Sequence, residues 1–432
     1  MAEKKEKTVY VGITGDIIHP GIINIIQQGA KYGRLIVGLL TNSAIASHKR
    51  IPYLSYEQRK CVLENIKGVS EVIPQEEWSY VPNLEKIRPD YIIHGDDWKT
   101  NYLKTIRQEV YDVMKKIGGE VIEIPYTQGI NSTQLFEKKN IGITSDQRIK
   151  NLRKIINSKP LIRIMEAYSG LSALIVENLK IEKEDGIHSF DGIWISGSNG
   201  SDHLDIPNIG SIDLSTRFNA LTDILECTTK PIIYGGGISE ISDNFYCMIK
   251  TLEWEGVSAI IIDDVMQNNT SINDSYTLST EEQFCRKISD GKKSQVTQDF
   301  MIIAKIGELT IGKTIEEALQ KSFAAVKAGA DGIIIDSKES SGNDIKEFCQ
   351  KFRKENKDTP IGLIPTSYSQ IPEKELVEWG ANVIIYVDYL LKTTYPAMKK
   401  CAETILKSER SLEVNDQCMP IKEILNLIPG TN

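Results

Sequence analysis

The chain has 432 residues, 41% of them hydrophobic and 25% charged, a balance that excludes a mainly disordered state. Lys and Arg number 51 against 59 Asp and Glu, a net charge of −8, which argues against non-specific nucleic-acid binding. No run approaches the roughly 18 apolar residues of a membrane helix. The opening Met1-Ala2-Glu3-Lys4-Lys5-Glu6-Lys7 has no apolar stretch behind it, so no leader and no membrane contact are expected and the chain reads as cytoplasmic.

A single core rarely grows past about 250–300 residues, which predicts two domains. The first, residues 1–140, opens with a strand, Thr8–Gly12, then a polar turn, a helix and a second strand, Leu35–Leu40. Further apolar runs follow at Tyr91–Gly95 and Glu120–Pro125. Short apolar runs alternating with helical patterns predict a small doubly wound parallel sheet. Residues 141–160, rich in Lys, Arg, Asn and Ile, read as a helical connector.

From residue 161 the rhythm changes. Eight strands are expected at Leu161–Met165, Phe190–Ser196, Pro231–Tyr234, Val257–Asp263, Phe300–Ile306, Asp331–Asp336, Pro360–Ile364 and Asn382–Val387. Helical patterns such as Ile315–Lys327 lie between them. Eight strand–helix units predict a closed (β/α)8 barrel over 161–410, followed by a tail, 411–432, that packs on a neighbour. The seven Cys are scattered without a C-x-x-C pair, so neither a disulfide framework nor a zinc knuckle is expected.

Ligands of an open α/β sheet bind beyond the carboxyl ends of its strands. The first such end is Gly12-Ile13-Thr14-Gly15-Asp16-Ile17-Ile18-His19-Pro20-Gly21-Ile22. Its glycines admit a close ligand, and the helix that follows offers N–H groups to phosphate. The same segment also fits an ordinary strand–helix corner with a solvated His. A cationic cluster, Ser47-His48-Lys49-Arg50 with Tyr56-Glu57-Gln58-Arg59-Lys60, comes next; alone it would pass for a solvated face. His94-Gly95-Asp96-Asp97-Trp98 closes a strand, and Gly129-Ile130-Asn131-Ser132-Thr133 opens a helix with hydroxyls.

In this order the four segments resemble the cytidylyltransferases of the glycerol-3-phosphate and choline-phosphate type. The resemblance implies in-line attack by a phosphate or phosphonate oxygen on the α-phosphorus of CTP, with Mg²⁺ accompanying the nucleotide and pyrophosphate leaving. Such a step needs positioning and positive charge more than covalent help. His19 would contact the triphosphate, with Lys49 and Arg59 balancing its charge. Thr14, Asp16, Gly21, Gly95, Asp97 and Trp98 would line the nucleotide pocket, and Ser132 and Thr133 would hold phosphates. One departure stands out: the second His of the family's H-x-G-H motif is Ile22 here.

The larger half resembles phosphoenolpyruvate mutase of the isocitrate lyase superfamily. The likeness lies in Phe190-Asp191-Gly192-Ile193-Trp194, Gly256-Val257-Ser258-Ala259, Ala328-Gly329-Ala330-Asp331-Gly332 and Tyr395-Pro396-Ala397-Met398. It implies a Mg²⁺-held phosphoenolpyruvate rearranging to phosphonopyruvate, and a homo-oligomer formed through the barrel. The catalytic positions depart from that pattern. The acidic motif after strand three becomes Gly235-Gly236-Gly237, the strand-five Arg becomes Lys305, and the strand-six His becomes Asp336. Trp194, Ser196, Gly197 and the Asp263-Asp264 pair survive in kind. Glycine brings Mg²⁺ no carboxylate, so no barrel metal is assigned. Trp194, Ser196, Gly197, Asp263, Lys305 and Asp336 remain as candidates for a barrel ligand, with Lys338 and Asp388 nearby. Three readings follow: a cytidylyltransferase joined to a degenerate mutase barrel, a mutase with an altered site, and a non-catalytic scaffold.

Overall fold

A computed structural model describes residues 6–49, 51–99, 103–125, 144–183, 186–196, 214–236, 243–266 and 277–427. The chain separates into two units, Met1–Ile141 with Lys180–His188, and Gly142–Leu179 with Ser189–Asn432.

The first unit is built on five parallel strands: β1 Thr8–Ile13, β2 Arg34–Leu40, β3 Glu71–Gln75, β4 Tyr91–Gly95 and β5 Glu120–Ile124, in the order β3-β2-β1-β4-β5. Period-two alternation divides the central strands between two cores. Val9, Val11 and Ile13 face one core with Leu35, Val37 and Ile93; Tyr10 faces the other with Ile36, Tyr80 and Ile92. Gly38 belongs to this packing, because a Cβ there would fall 1.7 Å from the Tyr10 hydroxyl, which donates to Gln75 Oε1 at 2.8 Å. The sequence reading missed β3, whose Glu-Val-Ile-Pro-Gln lacks a long apolar run. Pro74 cannot donate to a ladder, and β3 is an edge strand where that is tolerated.

In the second unit all eight expected strands form, in sequence order and closed into a barrel: Ile162–Glu166, Gly192–Ser196, Ile232–Gly236, Ala259–Asp263, Met301–Ile306, Gly332–Ile335, Ile361–Leu363 and Val383–Tyr386. Each of the eight pairs in parallel with its neighbours, and the eighth pairs with the first. Ile164, Trp194, Ile233, Ile261, Ile303, Ile334 and Ile385 fill the interior, with Leu152 of the helix Ser145–Ser158 among them. The opposite parity, Ile193, Ile232, Ile260, Ile302 and Ile335, packs with the surrounding helices.

Ile181–Lys183 and Gly186–His188, expected within the barrel, pair as two short antiparallel strands grouped with the first unit. The last barrel helix, Tyr389–Ser408, buries none of its residues and exposes Tyr395, Met398 and Leu406. The tail adds a short turn, Leu412–Gln417, and a helix, Ile421–Leu427. Among the described residues no helix is long and apolar enough to cross a membrane.

Candidate functional site

The winding of the five-stranded sheet reverses between β1 and β4, which places a ligand crevice at their carboxyl ends. β1 runs out into Thr14, Gly15 and Asp16; Gly15 takes φ +68, a left-handed conformation natural to glycine. His19 is then the N-cap of the helix Pro20–Gly29, and its side chain makes no capping hydrogen bond. Its Nδ1 is buried without a partner. Burial lowers the pKa of the ring, which favours the neutral imidazole. Gly21 is buried in the first turn, where free backbone N–H groups suit an anion. Ile22 packs against the core beneath.

Two predicted pocket residues sit elsewhere than expected. Arg59 is fully buried. Its guanidinium donates to the Thr14 carbonyl, to Leu40 O at 2.8 Å and to Asn42 Oδ1 at 2.6 Å. It therefore braces the loop after β1 instead of meeting a phosphate directly. Trp98 is 1% exposed, and its Nε1 donates to Glu123 Oε1 at 2.8 Å. One ring face stacks on His94 at 3.9 Å, so Trp98 belongs to the core under the crevice rather than to its lining. Burial acts against the charge of Glu123, yet hydrogen bonds from Arg107, Lys99 and Trp98 prevail and hold its pKa at about 2.

Asp16 accepts hydrogen bonds from the backbone N–H groups of Tyr53 at 2.7 Å and Leu54 at 3.2 Å, tying two loops together. Gly95 ends β4. Lys49 is exposed and lies 5.4 Å from the Trp78 ring centre, on which His48 stacks at 4.8 Å. Ser132, Thr133, Gly197 and the side chain of Asp97 lie outside the described residues.

In the barrel the interior parity that carries Ile164, Trp194, Ile233, Ile261, Ile303 and Ile334 continues one step further to Glu166, Ser196, Gly235, Asp263, Lys305 and Asp336. The inner wall thus changes from aliphatic to charged at the carboxyl ends of the strands, where barrel chemistry is placed. Asp263 and Lys305 are register neighbours, and the Lys305 ammonium lies 2.7 Å from Asp263 Oδ2. Burial works against the Lys305 charge, but Asp263, Asp336 and Asp264 outweigh it and hold the ammonium above the usual lysine range. Burial pushes Asp336 up to about 6, against the Ser337 N–H and Lys305. Glu166, which the sequence reading left aside, is buried and accepts from the Asp388 N–H. Gly235 lies under Trp194: a Cβ there would fall 3.0 Å from the indole.

Asp264 points away from the mouth, as the next residue on a strand does. It is fully buried and lies 2.7 Å from Lys321 Nζ, which also lies 2.9 Å from Glu308 Oε1. Lys338 lines a cavity of about 660 Å³ with Thr310, Lys313, Thr314 and Ser337. Asp388 pairs with Lys392 at 3.0 Å.

The Asp336 environment gives a stability prediction. Its folded pKa is raised, so its contribution is full at about pH 4 and is lost as pH rises through about 6. Asp336→Asn removes that loss. We expect the variant to be more stable than wild type at pH 7.5, by on the order of 1–3 kcal/mol, and no more stable at pH 4. Urea unfolding at the two pH values checks this; an equal effect at both would contradict it.

A phosphoenolpyruvate phosphomutase family model matches residues 152–406, and a cytidylyltransferase-like one matches residues 10–138. The phosphoenolpyruvate phosphomutase of Tetrahymena pyriformis is 27% identical over 288 residues, 66% of this chain and 92% of that protein. The glycerol-3-phosphate cytidylyltransferase of Bacillus spizizenii is 35% identical over 124 residues, 28% of this chain and 88% of that protein. Among solved structures, the phosphoenolpyruvate phosphomutase from Streptomyces platensis subsp. rosaceus matches with a TM-score of 0.57 and 26% identity, over 66% of this chain and 95% of that one. A phosphonopyruvate hydrolase complex with oxalate and Mg²⁺ matches with a TM-score of 0.56 and 25% identity, over the same 66% and 95%. With its barrel matched from first strand to last helix, the chain belongs to the phosphoenolpyruvate phosphomutase family and carries a cytidylyltransferase-like domain ahead of that barrel.

Proposed function

We propose that the N-terminal domain binds CTP and transfers CMP to a small phosphonate or phosphate acceptor, while the barrel has left metal-dependent mutase chemistry behind. The observation that carries the first half is His19: a ring with an unpartnered buried nitrogen, standing at a helix entrance beside the point where the sheet reverses. Its neutral ring keeps one N–H to donate to a phosphate oxygen, and the first turn of the helix adds backbone N–H groups. Lys49, set against the Trp78 ring, adds an exposed cation. Arg59 acts through the loop that it holds. Mg²⁺ accompanying CTP would supply further positive charge to the triphosphate.

For the barrel, the described residues at the strand ends do not fit a divalent ion. Mg²⁺ wants several oxygen ligands in near-octahedral array. Gly235 offers no side chain, and Trp194 covers the space where one would stand. Asp263 already faces an ammonium. Among the described residues, no group of three or more His, Cys, Asp or Glu is placed to hold a metal.

Incubation with CTP, Mg²⁺ and a panel of phosphonates and phosphate esters should release pyrophosphate with at least one acceptor. Calorimetry should show CTP binding without an acceptor. Silence in both assays removes the transferase reading and leaves the scaffold. Phosphorus NMR after incubation with phosphonopyruvate should show no phosphoenolpyruvate; its appearance would restore the mutase.

A further inference from the structure

The connection between the first barrel helix, Gly170–Asn178, and the second barrel strand carries more chain than its place requires. A helix-to-strand connection in an α/β unit needs about two to six residues, yet this one contains the paired strands Ile181–Lys183 and Gly186–His188. Those strands belong to the first unit. What they meet there is His48. Gly186 is buried at φ +131, and a Cβ on it would fall 2.9 Å from His48 Cδ2. Glycine alone brings backbone this close in such a conformation. The His48 ring has little room to yield. It stacks on Trp78 at 4.8 Å, with 10° between the rings. Ser47 commits its single O–H to Ala44 O at 2.7 Å, so its oxygen accepts from His48 Nδ1–H, also at 2.7 Å. The backbone N–H groups of His48 and Lys49 both donate to the Ile45 carbonyl, at 3.1 and 2.8 Å. Lys49 then reaches the same Trp78 ring, 5.4 Å from its centre. Trp78 packs on Leu40, Ala44 and Ile45, at the carboxyl end of β2, the strand beside β1. Gly186, His48 and Trp78 thus form a chain of contacts that ends on the exposed Lys49.

We propose that this hairpin, although it lies within the barrel's stretch of sequence, is a part of the transferase: it fixes the His48–Trp78 stack and thereby aims the Lys49 ammonium at a nucleotide phosphate. Gly186 and His48 are positioning residues, and Lys49 is the group that meets the ligand. The proposal rests on the reading of the N-terminal domain as a CTP site. A first domain ending at residue 140 is on this view incomplete, and residues 180–188 are the piece that it lacks.

The experiment is calorimetry of the full chain with CTP and Mg²⁺, arranged as a double-mutant cycle. Lys49→Met should weaken CTP binding at least about fivefold, the loss of one charge-assisted contact. Gly186→Val, whose side chain collides with His48, should weaken it by a similar factor. The double variant should bind within about twofold of Lys49→Met alone, because the hairpin acts only through that lysine. Thermal unfolding accompanies each variant. If Gly186→Val does not fold, His48→Ala breaks the same chain of contacts from a half-buried position and takes its place in the cycle. Losses that multiply in the double variant mean a merely structural contact and overturn the proposal, as does full CTP affinity in Gly186→Val. A wild-type protein that binds no CTP overturns the underlying reading and the proposal together.

Discussion

Lys321→Met should lower the stability of the barrel by about 3–5 kcal/mol, the cost of leaving buried charges without their partner. Lys321 is 4% exposed and Asp264 and Glu308 are 0% and 2% exposed. Lys321 donates to both carboxylates and to the Ser279 carbonyl at 3.1 Å. Burial pushes Asp264 up to about 7 even with the lysine present. Without it, two buried carboxylates would face each other with only the half-exposed Lys313, 3.9 Å from Glu308 Oε1, as a counter-ion.

For a domain of this size the loss corresponds to a fall in Tm of roughly 5–15 °C. Calorimetric scans at neutral pH measure it directly. The fall should shrink near pH 4, where Asp264 takes a proton. The triple variant Lys321→Met, Asp264→Leu, Glu308→Met should recover much of the loss, because apolar replacement of a whole buried ion cluster is often neutral. An unchanged Tm in the single variant would show that the cluster is not the brace between the fourth and fifth strands that its geometry indicates.

This cluster also marks where sequence reading stops. The eight barrel strands were legible because each is a short apolar run, several of them entered through Gly, Ala or Asp. The pairing of Asp263 with Lys305 was within reach, since both sit at strand ends on adjacent strands. Lys321 and Glu308 carried no local signal: the lysine lies 57 residues from Asp264 and meets it only because the barrel closes. Asp264 read as a partner of Asp263 at the mouth, although consecutive strand residues face opposite ways.

The N-terminal motif was equally double-edged. It pointed to the loop after β1, where His19 is the N-cap of the helix Pro20–Gly29. Arg59 and Trp98 carry the motif letters but turn inward, which spacing cannot reveal. Arg59 satisfies carbonyl and side-chain oxygens of three residues, and Trp98 stacks beneath His94. Strand β3 was lost to a proline that an interior strand would not accept.

His19 and Ile22 together give the second large effect. If the N-terminal domain transfers CMP, His19→Ala should lower turnover by about 10²–10³, the usual consequence of removing one preorganised donor from a developing charge. Ile22→His should raise it at least about tenfold, by adding a donor one turn into the same helix. The two residues differ in what their substitution costs. His19 caps the helix without a hydrogen bond from its side chain, so its removal should leave stability nearly unchanged. Ile22 packs against the core formed by Val9, Ile26 and Leu39, and exchanging that contact for an imidazole should cost about 1–2 kcal/mol. The expected signature of Ile22→His is therefore a less stable, faster enzyme. Pyrophosphate release under saturating CTP, paired with thermal unfolding of both variants, reads the two quantities separately. Faster turnover in Ile22→His would mean that the site is otherwise complete. An Ile22→His protein that still binds CTP but turns over no faster would mean that the domain lacks more than one donor, and that nucleotide binding is its remaining work.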